Sequence, residues 1–162
     1  MSVSVQAAAF DTALEVRSLT AGRTDIGAVV TFTGIVRGEA KGHPITSMEL
    51  EHYPGMTERE LARVEALARG RWPLQGVRII HRIGVLRPGE DIVLVVTLSS
   101  HRQAAFEAAE FLMDYLKTSA PFWKKETGAD GVGMWVDARE ADNKARERWE
   151  SAYAAAARHP HW

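Results

Sequence analysis

Residues 99–126 read SSHRQAAFEAAEFLMDYLKTSAPFWKKE, and the rest of the chain is organised around this stretch. Its apolar residues recur every three or four positions, which predicts one amphipathic helix at about residues 102–119. The apolar stripe consists of Ala105, Phe106, Ala109, Leu112, Met113 and Leu116. Pro121 ends the helix, because proline cannot continue the hydrogen-bond ladder. Residues 122–126 then predict a short extended segment.

The segments around this helix indicate strands and two earlier helices. Residues 91–99 read DIVLVVTLS, a nearly continuous apolar run that is typical of a central strand covered on both faces. Further strands are predicted at residues 3–8, 27–36, 45–53, 76–85 and 134–136. Asp11 is expected to cap one helix, and Thr57 to start another with Glu60 in a capping box. Residues 38–44 are expected to form a mobile loop, as a lid or merely a connection.

The predicted element order is β-α-β-β-α-β-β-α-β-β-α, which indicates an α+β fold with a mixed or antiparallel sheet. The length of 162 residues suits one ordinary domain with a real core. We expect a single domain at residues 1–140 and a charged helical tail at residues 141–162. The start of the sequence lacks a secretory signal and no apolar run reaches membrane-spanning length, so a cytosolic protein is expected.

Composition excludes several classes of function. The net charge of −1 provides no global basic field of the kind that drives nonspecific nucleic-acid binding. The absence of cysteine excludes disulfides and a thiolate nucleophile. No dinucleotide, P-loop or metal-helix motif is present, so no cofactor and no metal site is predicted. Of the six histidines, His52 and His81 lie in strand patterns and are interpreted as structural, and His159 and His161 lie in the tail.

Cationic residues gather at both ends of the long helix. Lys117, one position past the stripe, either stabilises the helix carbonyl end or belongs to a site. His101 and Arg102 begin the helix, where free N–H groups attract phosphate, although incidental charges are an equal alternative. His101 and Lys117 lie roughly 24 Å apart along the helix, too far for one small molecule. Either one end is the site or a two-fold dimer joins the two ends, and we favour the dimer.

Three further cations are candidates for binding an anion. Arg37 ends a strand beside a glycine-containing loop, where its guanidinium can meet an anion or simply face water. Lys124 and Lys125 are neighbours in an extended segment and therefore point to opposite faces. At most one of these two lysines can line the same pocket as Lys117.

Several motifs resemble a known family, the large (catalytic) subunit of molybdopterin synthase. The matching segments are TFTGIVR, LEHYPGMTE, RWPL, IIHRIGVLRPGE, SSHRQAAFEAAEFLMDYLKTSAPFWKKE and MWVDARE, from about residue 27 to 140. The resemblance implies an α/β hammerhead-type fold and a homodimer within a heterotetramer. It also implies a small ubiquitin-like carrier whose Gly-Gly C-terminus bears a thiocarboxylate. The carrier's sulfur would be transferred, in two steps, to cyclic pyranopterin monophosphate to form the dithiolene of molybdopterin.

The resemblance also implies roles for individual residues. Lys117 of DYLK is similar to the family's catalytic lysine, and Lys124 of FWKKE to its supporting lysine. The expected substrate contacts and pocket-lining residues are Arg37, His101, Arg102, Phe32, Met113, Lys125, Glu126 and Arg139. The absence of cysteine agrees with this chemistry, because the sulfur arrives on the partner.

Lys117 could act as a base or as a nucleophile that briefly holds the carrier's acyl group. If Lys117 were pressed against Phe122 and Trp123, desolvation would disfavour its ammonium form, and Lys124 would act in the same direction. Two other classes of function remain open from the residues alone. One is a non-catalytic module that binds a phosphorylated molecule or an acidic tail in the same pocket. The other, an RNA-binding domain that uses Trp123, fits the net charge poorly.

Overall fold

The computed structural model of the protein describes residues 2–136 and 140–158. The first half of the chain forms β1 (Val3–Gln6), α1 (Thr12–Thr20), β2 (Ala28–Ile35), β3 (Glu39–Ala40), β4 (His43–His52) and α2 (Met56–Arg71). The second half forms β5 (Leu74–Arg82), β6 (Gly84–Leu86), β7 (Asp91–Ser99), α3 (Arg102–Thr118), β8 (Phe122–Gly128), β9 (Gly133–Val136) and α4 (Glu140–Arg158). No helix in these ranges is long and apolar enough to cross a membrane.

The strands form two sheets that together make a mixed α+β fold, as predicted. The first sheet has the order β1-β5-β7-β2, in which β1 pairs with β5 in parallel and the other pairs are antiparallel. The second sheet has the order β3-β4-β8-β9, with β6 also paired to β4, and is antiparallel throughout. The α+β class and the long helix are therefore confirmed.

Helices cover both faces of the first sheet. On one face, α2 and α3 pack against the strands through a core that includes Leu61, Phe111 and Leu112. On the other face, Ile80, Leu94, Val96 and Leu98 pack under Phe10, Val16, Leu19 and Ile26, which belong to α1 and the segments that flank it. The predicted burial of residues 91–99 on both faces is confirmed, because β7 is buried from Val93 to Ser99.

A smaller core joins the two sheets. Val36, Met48, Leu50 and Leu86 are buried together, with Ile92 and Phe122 packed against them. Since β4 and β8 pair along their lengths, this core holds β8 beside the edge of the first sheet. The end of α3 and the start of β8 are thereby fixed next to the ends of β2 and β5.

Two local expectations are wrong. Residues 38–44 contain a hairpin rather than an irregular loop, since Glu39 pairs with Pro44 and Ala40 with His43. Lys41 and Gly42 form its turn with φ of 51° and 79°, the positive values that a tight two-residue hairpin turn requires. Helix α2 begins at Met56 rather than Thr57, because the Glu58 carboxylate, not Glu60, accepts a 2.7 Å hydrogen bond from the N–H of Gly55.

The predicted helical tail is present as α4, which packs on α3. Trp149 donates a 2.6 Å hydrogen bond from Nε1 to Asp114 Oδ2, and its ring meets Trp72 and Phe111 edge to face. Arg148 lies 2.9 Å from Glu110. These contacts set the position of the first turn of α4, where Asp142 lies. That residues 1–140 form a domain separate from the tail remains a prediction.

Candidate active site

A cavity of about 440 Å³ opens where the two sheets and the C-terminal end of α3 meet. Strands β2, β5 and β7 contribute from the first sheet, and β4 and β8 from the second. Much of the wall is apolar and includes Phe32, Met48, Leu50, Met113, Leu116 and Phe122. Such a surface suits a narrow apolar or backbone segment, with polar groups at defined points to orient it.

The described part of the lining carries three cations, Arg37, Lys117 and Lys124, and three carboxylates, Glu39, Glu126 and Asp142. The cavity therefore has no net positive field, and an anion would be held by particular side chains. Lys124 Nζ lies 3.8 Å from Glu126 Oε1. Within the described residues, three or more potential metal-binding side chains do not cluster anywhere.

Arg37 and Lys117 are the cations available to a ligand. Neither makes a hydrogen bond or an ion pair with any residue in the described ranges, and both side chains are exposed. Arg37 lies two residues after the end of β2, and the buried Val36 between them fixes the backbone beside it. A guanidinium in this position can offer two parallel N–H donors to a phosphate or carboxylate.

Lys117 differs from the expectation that it is pressed against aromatic rings. Its side chain is exposed, because position 117 lies beyond the buried stripe that ends at Leu116. Trp123 does not line the cavity and is 46% exposed, with its ring 6.4 Å from that of Tyr53. The expectation that these rings desolvate Lys117 is therefore wrong for the single chain. Only a molecule that fills the cavity could exclude water from around the Lys117 amine.

The alternation along β8 separates the two neighbouring lysines. Phe122, Lys124 and Glu126 line the cavity, whereas Trp123 and Lys125 do not. Lys125 instead places its Nζ 5.8 Å from the centre of the Trp135 ring. The structure thus brings Lys124 and Glu126 together with Lys117, Arg37, Phe32 and Met113, and leaves Lys125 outside the cavity.

The remaining predicted contacts lie elsewhere. His101 occupies the N-cap position of α3 without a side-chain hydrogen bond and Arg102 begins the helix, so both are at the opposite end of the helix from Lys117. Both are exposed and neither lines the cavity. Only a second copy of the chain could bring them to this site. Arg139 lies outside the described residues.

His81 is a cavity residue that the sequence interpretation missed. It lies on β5, only 8% of its surface is exposed, and its ring stacks on Phe122 with 3.9 Å between centres. Burial, with a smaller contribution from the nearby charge of Lys117, lowers the pKa of His81 to about 4, although the hydrogen bond to the Arg82 carbonyl acts in the opposite direction. The sequence does show that IIHR (residues 79–82) and GIVR (residues 34–37) both lie near strand ends. It does not show that these two ends meet at one cavity, which is what would have assigned His81 to the site.

The depressed pKa of His81 predicts a loss of stability in mild acid. The unfolded chain takes up a proton near pH 6.5 while the folded chain resists until about pH 4, so stability falls as the pH drops through this window. Between pH 7 and pH 5 the wild type should lose about 2 kcal/mol more than His81→Gln, measured by urea unfolding. His43→Gln, at an exposed histidine in the hairpin, should keep the wild-type pH dependence. Equal acid sensitivity of wild type and His81→Gln would contradict the assignment.

Comparison with known proteins gives consistent matches over most of the chain. The family model described as "MoaE protein" matches residues 5–119. The molybdopterin synthase catalytic subunit of Mesorhizobium japonicum is 57% identical over 152 residues, covering 93% of this chain and 94% of that protein. That of Pseudomonas aeruginosa is 54% identical over 150 residues, covering 93% and 99%. A molybdopterin biosynthesis MoaE protein from Burkholderia ambifaria superposes with a TM-score of 0.78 at 50% identity, covering 92% of this chain and 97% of that one.

Proposed function

Since the chain belongs to the MoaE protein family, we propose that it is the catalytic subunit of a molybdopterin synthase and that the cavity at the end of α3 is where sulfur is transferred. The enzyme moves sulfur from the C-terminal thiocarboxylate of a small carrier subunit to cyclic pyranopterin monophosphate, which forms the dithiolene of molybdopterin. The convergence of Lys117, Lys124 and Arg37 on one cavity supports this proposal, because Arg37 lies 80 residues before Lys117 in the chain.

The cavity suits the carrier tail. A Gly-Gly C-terminus has no side chains, so it can thread between walls such as Phe32 and Met113, which line the opening from β2 and α3. Its terminal thiocarboxylate is anionic, and Lys117 is exposed and without a protein partner among the described residues. Filling the cavity with the tail would displace water and strengthen the interaction between these two charges.

The chemistry assigns distinct tasks to the cations. The transferred sulfur stays on the pterin, and the carrier's acyl group ends as a carboxylate whose new oxygen comes from water. Lys117 stabilises the developing oxyanion and moves a proton, or takes the acyl group as a nucleophile before water releases it. Lys124 supports Lys117. Glu126 holds Lys124 in place, with 3.8 Å between Lys124 Nζ and Glu126 Oε1.

We assign the substrate phosphate to donors other than Lys117 and Lys124. Arg37 lines the cavity and offers the planar set of N–H donors of its guanidinium. We assign the remaining contacts to His101 and Arg102 of the second copy in a homodimer, because one chain holds them at the far end of α3 from Lys117. Lys125 and Arg139 are retained as weaker candidate contacts. The proposal includes the heterotetramer with two carrier subunits and the cytoplasm as its compartment.

Arg37→Ala tests the assignment of this cavity to the phosphorylated substrate. We expect the KM for cyclic pyranopterin monophosphate to rise about tenfold to a hundredfold, because a charge-assisted contact is lost, with carrier affinity unchanged. The measurement is molybdopterin formation against substrate concentration, with carrier affinity determined separately by calorimetry. Arg69→Ala is the matched control, since Arg69 is exposed on α2 and pairs with Glu65. An unchanged KM would remove Arg37 from the site, and binding of carrier and substrate without product by the wild type would indicate a binding module.

A further inference from the structure

The tautomer of the cavity histidine is fixed by its backbone contact. His81 Nδ1 lies 2.8 Å from the carbonyl oxygen of Arg82. A carbonyl oxygen can only accept a hydrogen bond, so Nδ1 must carry the proton. In the neutral ring the lone pair is therefore on Nε2, which is an acceptor.

His81 Nε2 has no hydrogen-bond partner within the described part of the chain. The side chain is more than nine-tenths buried and its ring forms part of the cavity wall. The ring is also neutral at physiological pH, because burial and the Lys117 charge lower its pKa to about 4. Although the side chain is buried as a whole, Nε2 itself is not fully buried and faces the cavity, where water can donate to it. A carrier tail that displaced this water would leave the acceptor unsatisfied, so the arrangement indicates a donor that replaces the water when the cavity is filled.

The charged groups that share the cavity narrow the choice of donor. Lys124, from β8, is already near Glu126, and Arg37 lies at the end of β2. Lys117, from α3, makes no hydrogen bond or ion pair with described residues, and its charge acts on the His81 ring. Its flexible four-carbon stem and three N–H donors allow it to turn from solvent toward the ring.

We propose that His81 is a positioning residue for sulfur transfer, whose Nε2 accepts a hydrogen bond from the Lys117 amine when the carrier tail occupies the cavity. This inference rests on the proposed function and assigns a role to a group outside the motif-based site. A carboxylate at this position would pair with the lysine and compete with the thiocarboxylate for it. A neutral imidazole holds one N–H of the amine and leaves the rest of the group directed at the reacting carbonyl.

Two substitutions separate the acceptor from the ring. His81→Gln keeps an acceptor near the position of Nε2 but loses the stacking on Phe122, whereas His81→Phe keeps the ring and loses the acceptor. We expect kcat to fall roughly tenfold to a hundredfold in His81→Phe and to stay within about threefold of wild type in His81→Gln. The KM for substrate and the affinity for carrier should be unchanged in both, with folding checked by circular dichroism. A structural role predicts the reverse order, so an active His81→Phe or equal losses in the two variants would overturn the proposal.

A second measurement does not depend on turnover. Nitrogen NMR of the His81 ring, in the complex with carrier that lacks the sulfur, should show the proton on Nδ1 and a hydrogen-bonded Nε2. The Nε2 resonance should move toward the free-acceptor position in Lys117→Ala, while the Nδ1 resonance stays in place. An Nε2 resonance unaffected by Lys117→Ala would overturn the proposal. If the wild type made no molybdopterin at all, the proposed function would fail and this spectrum alone would decide the role of His81.

Discussion

Lys117→Ala is expected to lower the rate of molybdopterin formation about a thousandfold or more. The substitution removes the group that moves a proton and stabilises the oxyanion, and general acid–base catalysis alone contributes on this scale. Carrier affinity should fall far less than the rate, because the variant loses only the ion pair with the thiocarboxylate and keeps the apolar walls that contact the rest of the tail. The fold should be unaffected, since Lys117 is exposed and makes no hydrogen bond or ion pair with another described residue. The measurement is product formation under saturating carrier and substrate, with carrier binding followed separately.

Two further variants sharpen this test. Lys41→Ala removes a cation from the exposed turn of the β3–β4 hairpin, outside the cavity lining, and should retain wild-type turnover. Lys117→Arg keeps the charge but replaces the amine, so near-normal turnover in this variant would exclude the nucleophile role. Wild-type turnover in Lys117→Ala would show that the cavity has been assigned to the wrong residue.

Phe111→Ala is expected to cost about 3–5 kcal/mol of unfolding free energy, as for other large aromatic residues removed from a packed core. Phe111 is 1% exposed, and its ring lies 5.2 Å from Trp72 and 4.6 Å from Tyr115. The Phe111 ring also contacts Trp149 of α4, so the void left by the substitution would weaken the packing of α2, α3 and α4 together. Urea unfolding at neutral pH measures the effect.

Phe106→Ala provides the matched control on the same helix. Phe106 is 60% exposed although the sequence placed it in the apolar stripe, so its loss should change stability by less than about 0.5 kcal/mol. Similar losses at both positions would show that the packing of α3 has been assigned to the wrong face, unless a second copy covers Phe106. Measuring Phe106→Ala at several protein concentrations separates that case, because only a dimer contact would make its effect depend on concentration.

Periodicity predicted the elements whose burial is regular. Both bounds of β7 were predicted correctly, because its run from Ile92 is apolar on both faces. The position of α3 was predicted because its apolar stripe repeats over four turns. The short strands β3 and β6 were not predicted, since two or three residues are too few to show alternation and their pairing with β4 is a tertiary property. The start of α2 shifted by one residue because Thr57 is buried and bonds to the Pro121 carbonyl instead of capping the helix.

The candidate site was predictable only in part, and for a different reason. Strand alternation separated Lys124 from Lys125, and helix length separated Lys117 from His101, because both follow from local geometry. The cavity itself depends on which strand ends meet, so His81 and Asp142 could not be assigned to it in advance. The exposure of Lys117 was also missed, because a sequence does not show at which residue the packing of α3 against the sheet ends.

A single-turnover experiment shows whether this chain transfers sulfur. The purified chain would be mixed with thiocarboxylated carrier and cyclic pyranopterin monophosphate, and both thiocarboxylate and molybdopterin would be quantified by mass spectrometry over time. We predict that two thiocarboxylates are consumed for each molybdopterin formed, with sulfur retained in the product. A stable complex in which the thiocarboxylates persist and no molybdopterin appears would contradict the assignment of sulfur transfer to this chain.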